Sequence, residues 1–108
     1  MILVTSDAVP GHRVTKVMGL VQGSSVRARH LGKDLTAFFK NLTGGEIREY
    51  TKLLAEAREQ CLDRMREEAA KLGANAITAV RFSSTDISEG ASELLVYGTA
   101  VFVEREPS

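Results

Sequence analysis

The sequence predicts an α+β domain in which one long amphipathic helix packs against a mainly antiparallel β-sheet. Apolar residues recur every three or four positions across residues 44–73, which is the period of a helix with one buried face. Runs typical of β-strands lie before that segment at 14–27 and after it at 75–85 and 93–103. The order of the predicted elements is therefore strand, helices, strand, strand, which is typical of an α+β domain.

The N-terminal part of the chain predicts a short strand at 1–5, a turn around Pro10 and Gly11, and the long strand at 14–27. Simple alternation along this strand gives two faces, one with Val14, Met18 and Leu20 and the other with Val17 and Val21. Gly19 and Gly23 interrupt the strand, which indicates a bulge or the close approach of another backbone. Residues 31–42 show helical spacing and predict a short helix before the long one.

The long helix has one apolar stripe, formed by Ile47, Tyr50, Leu54, Ala57, Cys61, Met65, Ala69 and Leu72. Gly44 and Gly45 mark its start, Glu46 lies where the helix dipole favours an anion, and Gly73 suits the left-handed position after a helix. Arg58 departs from the pattern, because at about 100° per residue it projects into the stripe. An unpaired buried charge is costly, so we expect a salt bridge or a carbonyl clamp there, with an anion-binding arginine as the alternative.

The C-terminal part predicts a strand at 75–85, a hairpin connection at 86–90 and a last strand at 93–103. The last strand is apolar on both faces, one with Leu94, Val96, Ala100 and Phe102 and the other with Leu95, Tyr97, Val101 and Val103. The pattern leaves open whether this strand lies at an edge of the sheet or between the other two. If the strands at 14–27 and 75–85 are neighbours, they are parallel and joined by a right-handed crossover.

Length and composition describe a single domain over residues 1–108. Fourteen basic residues balance fourteen acidic ones, so we expect no nucleic-acid or membrane partner. A modest basic cluster around the first long strand is more typical of an exposed sheet edge guarded by charge. The N-terminus lacks the features of a signal peptide, and the single cysteine fits a reducing compartment, so the cytoplasm is the expected location.

Two observations predict that copies of the chain associate. A helix over 46–72 is about 40 Å long, whereas a compact chain of about 100 residues is roughly 34 Å across. The last strand also has a second apolar face that one helical layer cannot cover. Another copy of the chain is the simplest way to cover this face, since most soluble oligomers are closed homo-oligomers.

Three sequence blocks in this order carry a family resemblance: GGEIREYTKLLAEAREQCLDRM at 44–65, LGANAITAVRF at 72–82 and YGTAV at 97–101. Pro10, Gly11 and Gly19 also fall where the same family has an early turn and a strand glycine. The chain resembles the YbjQ-like family of small bacterial and archaeal proteins, often labelled heavy-metal-binding. The resemblance implies a β-α-β-β two-layer sandwich similar to the dodecin subunit, assembled as a ring-shaped pentamer with short strands reaching between neighbours. It leaves the activity open.

The residues themselves give little support to a metal site within one chain. Soft metals need paired thiolates, or His and Cys at fixed spacing, whereas Cys61 belongs to the apolar stripe and His12 and His30 lie far from it in sequence. A symmetric ring could repeat one such ligand around its axis, so the identity of any cofactor stays open. The sequence has no motif of nucleophilic or hydrolytic catalysis.

Two functional hypotheses follow. The first is a non-enzymatic homo-oligomer, a pentamer, that acts as a binding or scaffold module and takes a small ligand or metal between subunits. Its candidate ligand-binding residues combine polar function with expected burial: Arg58, Arg81, Asn75, Tyr97 and Gly98. The second is an enzyme whose site forms only at the interface, with Arg58 or Arg81 for an anionic substrate and Glu46 as acid or base. Gly44 and Gly45 offer backbone N–H groups to an anion, although a tight turn also explains them.

Overall fold

The computed structural model describes residues 1–28, 44–88 and 91–107 of the chain. Within these ranges the elements are β1 (Ile2–Leu3), β2 (His12–Ala28), α1 (Gly44–Lys71), β3 (Ala76–Ser88) and β4 (Ala91–Arg105). The predicted α+β class and the order of its long elements are confirmed. The short helix predicted at 31–42 lies outside the described residues.

The strands form one sheet in the order β1-β3-β4-β2. β4 pairs antiparallel with both β2 and β3, and the two-residue β1 pairs parallel with β3. The strand position that the sequence left open is thereby settled, because β4 lies between β2 and β3. These two strands are parallel to each other without being neighbours, and β2 forms one edge of the described sheet.

α1 ends in the way its sequence predicts. Gly73 has a φ of +85°, the left-handed conformation that glycine adopts without a steric penalty. The Gly73 N–H donates to the carbonyl of Ala70 at 3.0 Å, and the Ala74 N–H donates to the carbonyl of Ala69 at 3.1 Å. These bonds satisfy carbonyl groups of the last turn and define a Schellman motif.

α1 covers one face of the sheet, which we call the inner face; the opposite side is the outer face. The largest fully buried side chains between helix and sheet are Met65, Ile77, Val21, Val96 and Cys61. Among the described side chains of α1, the buried ones are Ala57, Cys61, Met65 and Ala69. The predicted stripe is therefore confirmed in the second half of the helix, while Leu54 and Leu72 are 46% and 48% exposed.

α1 and β2 meet backbone to backbone at Gly23. A Cβ atom at this position would lie 2.1 Å from the carbonyl oxygen of Cys61 and 2.7 Å from the amide nitrogen of Met65. Only glycine permits such an approach without a shift of the helix. Close backbone contact, one of the two interpretations of the strand glycines, is confirmed at this residue.

Two bulges in β2 change which of its residues share a face. The register against β4 shifts between Val14 and Lys16 and again between Val17 and Gly19, and Gly19 has a φ of +122°. Because each bulge adds one residue, three apolar residues fall together on the outer face: Val14, Val17 and Leu20. Met18 packs against the inner core instead. The predicted bulge near Gly19 is confirmed, and the face assignment by simple alternation is wrong.

Residues 4–11, which we call the N-terminal segment, cover part of the outer face. Two of its valines and three residues of β3 and β4 form a second small core: Val4, Val9, Ala76, Val101 and Val103. The Ala79 N–H donates to the Ser6 carbonyl at 2.9 Å and so ties the segment to β3. The chain thus shields by itself some of the apolar surface that the sequence assigned to another copy.

The molecule is elongated, with principal extents of 57 × 28 × 19 Å and a radius of gyration of 17.6 Å. A compact chain of about 100 residues has a radius of gyration of about 13 Å. The 28 residues of α1, about 42 Å long at about 1.5 Å per residue, account for much of the length. None of the helical residues in the described ranges forms a stretch long and apolar enough to cross a membrane.

Candidate functional site

The outer face of the sheet carries exposed apolar side chains along β2. Val14, Val17 and Leu20 are 44%, 64% and 69% exposed. Their partners on β4 are alternate residues, which fixes all three on one face: Val103, Val101 and Thr99. Contiguous exposed valine and leucine side chains are typical of an interaction surface. We call Val14, Val17 and Leu20 the apolar strip.

Three polar side chains cross the same face beside the apolar strip. Gln22 of β2 lies opposite Tyr97 of β4, and Tyr97 lies opposite Arg81 of β3. Directly opposed residues of an antiparallel pair have Cβ atoms about 4.5–5.5 Å apart, so the three form a continuous row, and all three are exposed. We call Gln22, Tyr97 and Arg81 the polar row. It brings together two of the predicted ligand-binding residues, Arg81 and Tyr97.

A bulge in β3 places Arg81 on the outer face. The register against β4 shifts between Thr78 and Arg81, and Ala79 has a φ of +53°, which costs a non-glycine residue about 1–2 kcal/mol. Ile77 and Val80 both belong to the inner core, although residues three apart point to opposite faces in a regular strand. Without the extra residue, Arg81 would share the inner face with Ile77.

The guanidinium of Arg81 also fastens the N-terminal segment. Its Nη1 donates to the carbonyl of Thr5 at 2.7 Å and to the carbonyl of Val80 at 2.9 Å. These bonds orient the side chain along the edge of β3 while it stays exposed. Arg81 is therefore a positioned cation at one end of the polar row.

The side chain of Asn75 replaces a backbone group at the end of the β3–β4 ladder. Its Nδ2 donates to the carbonyl of Val103 at 2.9 Å, and the Val103 N–H donates to its Oδ1 at 2.8 Å. Both ends of the amide are engaged with one neighbouring residue. Asn75 was predicted as a ligand-binding residue, but its geometry serves the sheet, and it lies several positions along β4 from Tyr97.

Gly98, another predicted site residue, faces the inner side of the sheet. A Cβ atom there would lie 2.7 Å from Cγ2 of Ile77 and 2.9 Å from the carbonyl oxygen of Thr78. The residue therefore allows β3 to pack closely against β4. It does not belong to the polar row, although it follows Tyr97 in sequence.

Arg58 is exposed on α1, so the expectation that it lies in the buried stripe is wrong within one chain. Among the described side chains of the helix, the buried positions start at Ala57 and continue towards its C-terminus. Because α1 lies on the inner face and Arg81 on the outer face, the two arginines do not converge in one chain.

The first turn of α1 contains Gly44 and Gly45, since the helix begins at Gly44. Glu46 follows in the same turn and is about 18 Å from Arg58 along the axis, at about 1.5 Å per residue. The predicted acid or base and the predicted anion-binding arginine are thus apart in one chain. A groove of about 660 Å³ runs along the polar side of the helix and is lined by Lys52, Ala55, Glu56, Glu59, Gln60, Asp63, Arg64 and Glu67.

The described side chains of one chain do not form a heavy-metal site. No three His, Cys, Asp or Glu side chains within 1–28, 44–88 and 91–107 are grouped so as to hold a metal ion. The thiol of Cys61 is fully buried and donates to the carbonyl of Leu94 at 3.3 Å. The Nδ1 of His12 lies 3.0 Å from the carbonyl oxygen of Pro10. A soft metal needs more ligands than this thiol and imidazole provide.

Comparison with known proteins places the chain in a family. A family model described as "Putative heavy-metal-binding" matches residues 1–104. A UPF0145 protein of Thermosipho melanesiensis is 54% identical over 101 residues, or 94% of either chain. One of Thermus thermophilus is 55% identical over 100 residues, covering 93% of this chain and 88% of its own. One of Clostridioides difficile is 50% identical over 108 residues, covering 100% and 96%. The chain belongs to the YbjQ-like family of UPF0145 proteins.

A solved structure shares the fold. The crystal structure of a protein of unknown function from Pediococcus pentosaceus, assigned to the DUF74 family, matches with a TM-score of 0.63. The match covers 96% of this chain and 98% of that one, at 13% sequence identity. At this identity the likeness concerns the fold alone, and it agrees with the α+β arrangement described above.

Proposed function

We propose that this protein is a non-enzymatic, cytoplasmic homo-oligomer, a pentameric ring, that acts as a binding or scaffold module and holds a small ligand or a metal ion between its subunits. The apolar strip is the observation that carries the proposal. Val17 and Leu20 are 64% and 69% exposed, and burying a valine or leucine side chain fully is worth about 1.5–3 kcal/mol. Every copy presents the same strip, so association of copies buries it repeatedly.

The polar row supports a small anion as the ligand. Arginine has five N–H donors in a fixed fork that matches a carboxylate or a phosphate. Within the described part of the chain, Nη1 of Arg81 donates to the carbonyls of Thr5 and Val80. We assign its other donors, Nη2 and Nε, to the ligand. The row lies beside Leu20 of the strip, so a ligand held there would sit at the margin of a subunit contact.

A metal ion is the other occupant consistent with the family description. Since the described residues of one chain supply too few ligands, the coordination set would have to repeat one residue from several copies. Elemental analysis of the purified oligomer tests this part directly. A metal present at one ion per ring supports the symmetric site, whereas a metal-free ring that binds inorganic phosphate supports the polar row.

Native mass spectrometry with static light scattering tests the assembly. We expect the wild-type chain to give the mass of five subunits at micromolar concentration and the Val17→Lys/Leu20→Lys double variant to give the mass of one. Circular dichroism should show that the double variant remains folded, because both side chains are already exposed in a single chain. The matched control is Leu72→Lys, which adds charge at a residue 48% exposed outside the strip and should leave the mass unchanged. A wild-type monomer at that concentration would overturn the proposal.

Binding of inorganic phosphate to the assembled wild type tests the polar row. Arg81→Gln should weaken binding at least tenfold, while Arg58→Gln, an equal charge change on the inner side of the sheet, should not. Equal loss in both variants would show that the effect is one of net charge and that the row is not the site.

A further inference from the structure

The N-terminal segment is held to the outer face by little apolar burial. Its residues 5–8 are exposed, and its one buried side chain is that of Val9, at 6% exposure. Val9 packs in the second small core together with the half-buried Val4. Parts of a protein with few buried apolar contacts open at a lower free-energy cost than its main core. The N-terminal segment is therefore able to open while α1 and the sheet stay packed together.

Opening of the N-terminal segment would uncover apolar surface beside the apolar strip. Val101 and Val103 of β4 lie under the segment and are 3% and 4% exposed. Val101 is the partner of Val17 on β2. Val103 is the partner of Val14. The position of the segment therefore decides whether the apolar surface of the outer face is one strand wide or two.

The bulge in β3 depends on the same segment. Ala79, inside the bulge, donates its N–H to the Ser6 carbonyl at 2.9 Å, and the next residue, Val80, donates its N–H to the Val4 carbonyl at 3.0 Å. Ala79 has a φ of +53°, a strained value that persists where the surrounding structure enforces it. Both of these bonds run to the N-terminal segment, so the segment helps to hold the bulge in its strained form.

Arg81 connects this bulge to the polar row. The bulge places its side chain on the outer face, opposite Tyr97, and its Nη1 donates to the carbonyls of Thr5 and Val80. The two donors that we assigned to the anion, Nη2 and Nε, belong to the same planar group. Because the guanidinium is rigid, an anion bound to Nη2 and Nε also fixes Nη1 in the position from which it bonds to Thr5. The anion and the N-terminal segment thus hold one rigid group from two sides.

We propose that the N-terminal segment acts as a strap coupled to the anion site of the polar row: an anion on Arg81 holds the segment closed over Val101 and Val103, and loss of the anion lets it open more often. The inference rests on the anion binding proposed above and adds the conformational change that the anion controls. Coupling between two binding events is reciprocal, so the closed segment also strengthens anion binding. When the segment opens, the strained φ of Ala79 favours relaxation of the bulge that directs Arg81 to the outer face.

Hydrogen exchange of the wild type with and without inorganic phosphate tests the coupling. The reporters are the amides of Ala79 and Val80, since both donate to carbonyls of the N-terminal segment. At saturating phosphate we expect their exchange to slow at least about fivefold, the lower end of the usual coupling between two sites. The Ala74 amide, which donates to the Ala69 carbonyl at the end of α1, is the internal control and should slow much less. Sodium chloride at the same ionic strength should not slow the reporters, and neither should phosphate added to Arg81→Gln.

Variants of the segment and the bulge test the same coupling from the other side. Val9→Ala removes the buried anchor of the segment and should weaken phosphate binding at least about fivefold. Val14→Ala, the same truncation at a residue 44% exposed outside the segment, is the matched control and should retain the wild-type affinity. Ala79→Gly removes the cost of the left-handed φ and should slow exchange of the Val80 amide without phosphate, a gain that a poorly folded variant does not show.

The remaining outcomes each contradict a defined step. Phosphate that binds the wild type through Arg81 but leaves exchange at Ala79 and Val80 unchanged would overturn the coupling and leave the anion site standing. Equal slowing at Ala74 would show general stabilisation by a ligand and would also overturn the coupling. Faster exchange at the reporters would show that the anion competes with the N-terminal segment for Arg81. A wild type that binds no phosphate would overturn the anion site itself.

Discussion

Gly23 and Gly73 are both needed as glycines, but for different physical reasons. Gly23 is restricted by space, since a Cβ atom would lie 2.1 Å from the carbonyl oxygen of Cys61. Gly73 is restricted by conformation, since its φ is +85° and nothing lies within 4 Å of its Cβ position. Substitutions at these two residues therefore measure the costs of steric overlap and of backbone strain separately in the same molecule.

Gly23→Ala should destabilise the fold by about 1–3 kcal/mol or more, which is the usual cost of overpacking. The added methyl group has to move the backbone of α1, because the atoms it meets are backbone atoms. Urea unfolding at fixed protein concentration measures the change. Ser24→Ala on the adjacent residue should stay within about 0.5 kcal/mol, and an equal loss in both variants would contradict the steric explanation.

Gly73→Ala should destabilise the fold by about 1–2 kcal/mol, because alanine has to adopt a left-handed conformation. Gly73→Asn should lose less, since asparagine tolerates this conformation better than other residues. Thermal unfolding of the two variants side by side gives the comparison. A loss in Gly73→Asn as large as in Gly73→Ala would indicate that contacts, and not φ, decide at this position.

Asn75→Ala should cost about 1–3 kcal/mol, because it leaves a donor and an acceptor of Val103 without their partners. Asn75→Asp keeps the acceptor for the Val103 N–H but turns an acceptor-only carboxylate oxygen towards the Val103 carbonyl, so it should also be less stable than wild type at neutral pH. Urea unfolding distinguishes the three proteins. No change in either variant would mean that water replaces the side chain at the end of the ladder.

At the scale of elements, the sequence predicted what depends on neighbouring residues along the chain. The 3.6-residue period located α1, and Gly73 located its end within two residues of Lys71. It could not predict the faces of β2, because a bulge depends on the register with β4, and each of the two bulges inverts the alternation. The apolar strip was missed for this reason. Gln22 was not predicted as a site residue for the same reason, because its neighbour Tyr97 lies on another strand and the pairing depends on register.

The N-terminal segment behaves as an element held by β3 and Arg81. Arg81→Lys should weaken the two bonds that Nη1 donates to Thr5 and Val80, because the flexible lysine side chain with its rotatable ammonium is not pre-organised as the planar guanidinium is. We expect the Ala79 amide, which donates to the Ser6 carbonyl, to exchange about tenfold faster, equivalent to about 1.4 kcal/mol. Hydrogen exchange measured by NMR or mass spectrometry reports this.

Arg13→Lys is the control for that exchange measurement. Arg13 forms an exposed ion pair at 3.3 Å with Glu104, its partner on β4, and exposed pairs contribute little. Its variant should leave exchange at Ala79 unchanged. Unchanged exchange in Arg81→Lys as well would show that the valine contacts alone hold the segment.

For the whole molecule, the candidate site was predicted in part. Arg81 and Tyr97 were chosen because they are polar residues within strands, and the structure places them opposite each other. Asn75 and Gly98 met the same criterion but serve the backbone ladder and the core packing. The prediction that Arg58 lies in the buried stripe rested on the helical period alone. That period gives the direction of a side chain around the helix axis, but not the point along the axis at which the core ends. The oligomer stays a prediction.

Association of copies has a thermodynamic consequence that can be measured on the wild type. A protein that is stabilised by self-association unfolds at a temperature that rises with its concentration. We expect Tm to increase across a hundredfold range of concentration for the wild type and to stay constant for the Val17→Lys/Leu20→Lys variant. Scanning calorimetry measures both, and a wild-type Tm independent of concentration would contradict association within that range.

The central position of β4 has a consequence for biosynthesis. Each long strand pair of the sheet includes β4, the strand that follows all the others in sequence. While the ribosome is still translating those 15 residues, β2 and β3 have no common partner and the apolar side of α1 has no complete sheet beneath it. Native sheet formation must therefore wait until β4 has left the exit tunnel, so a chaperone that shields nascent apolar segments would act before that moment.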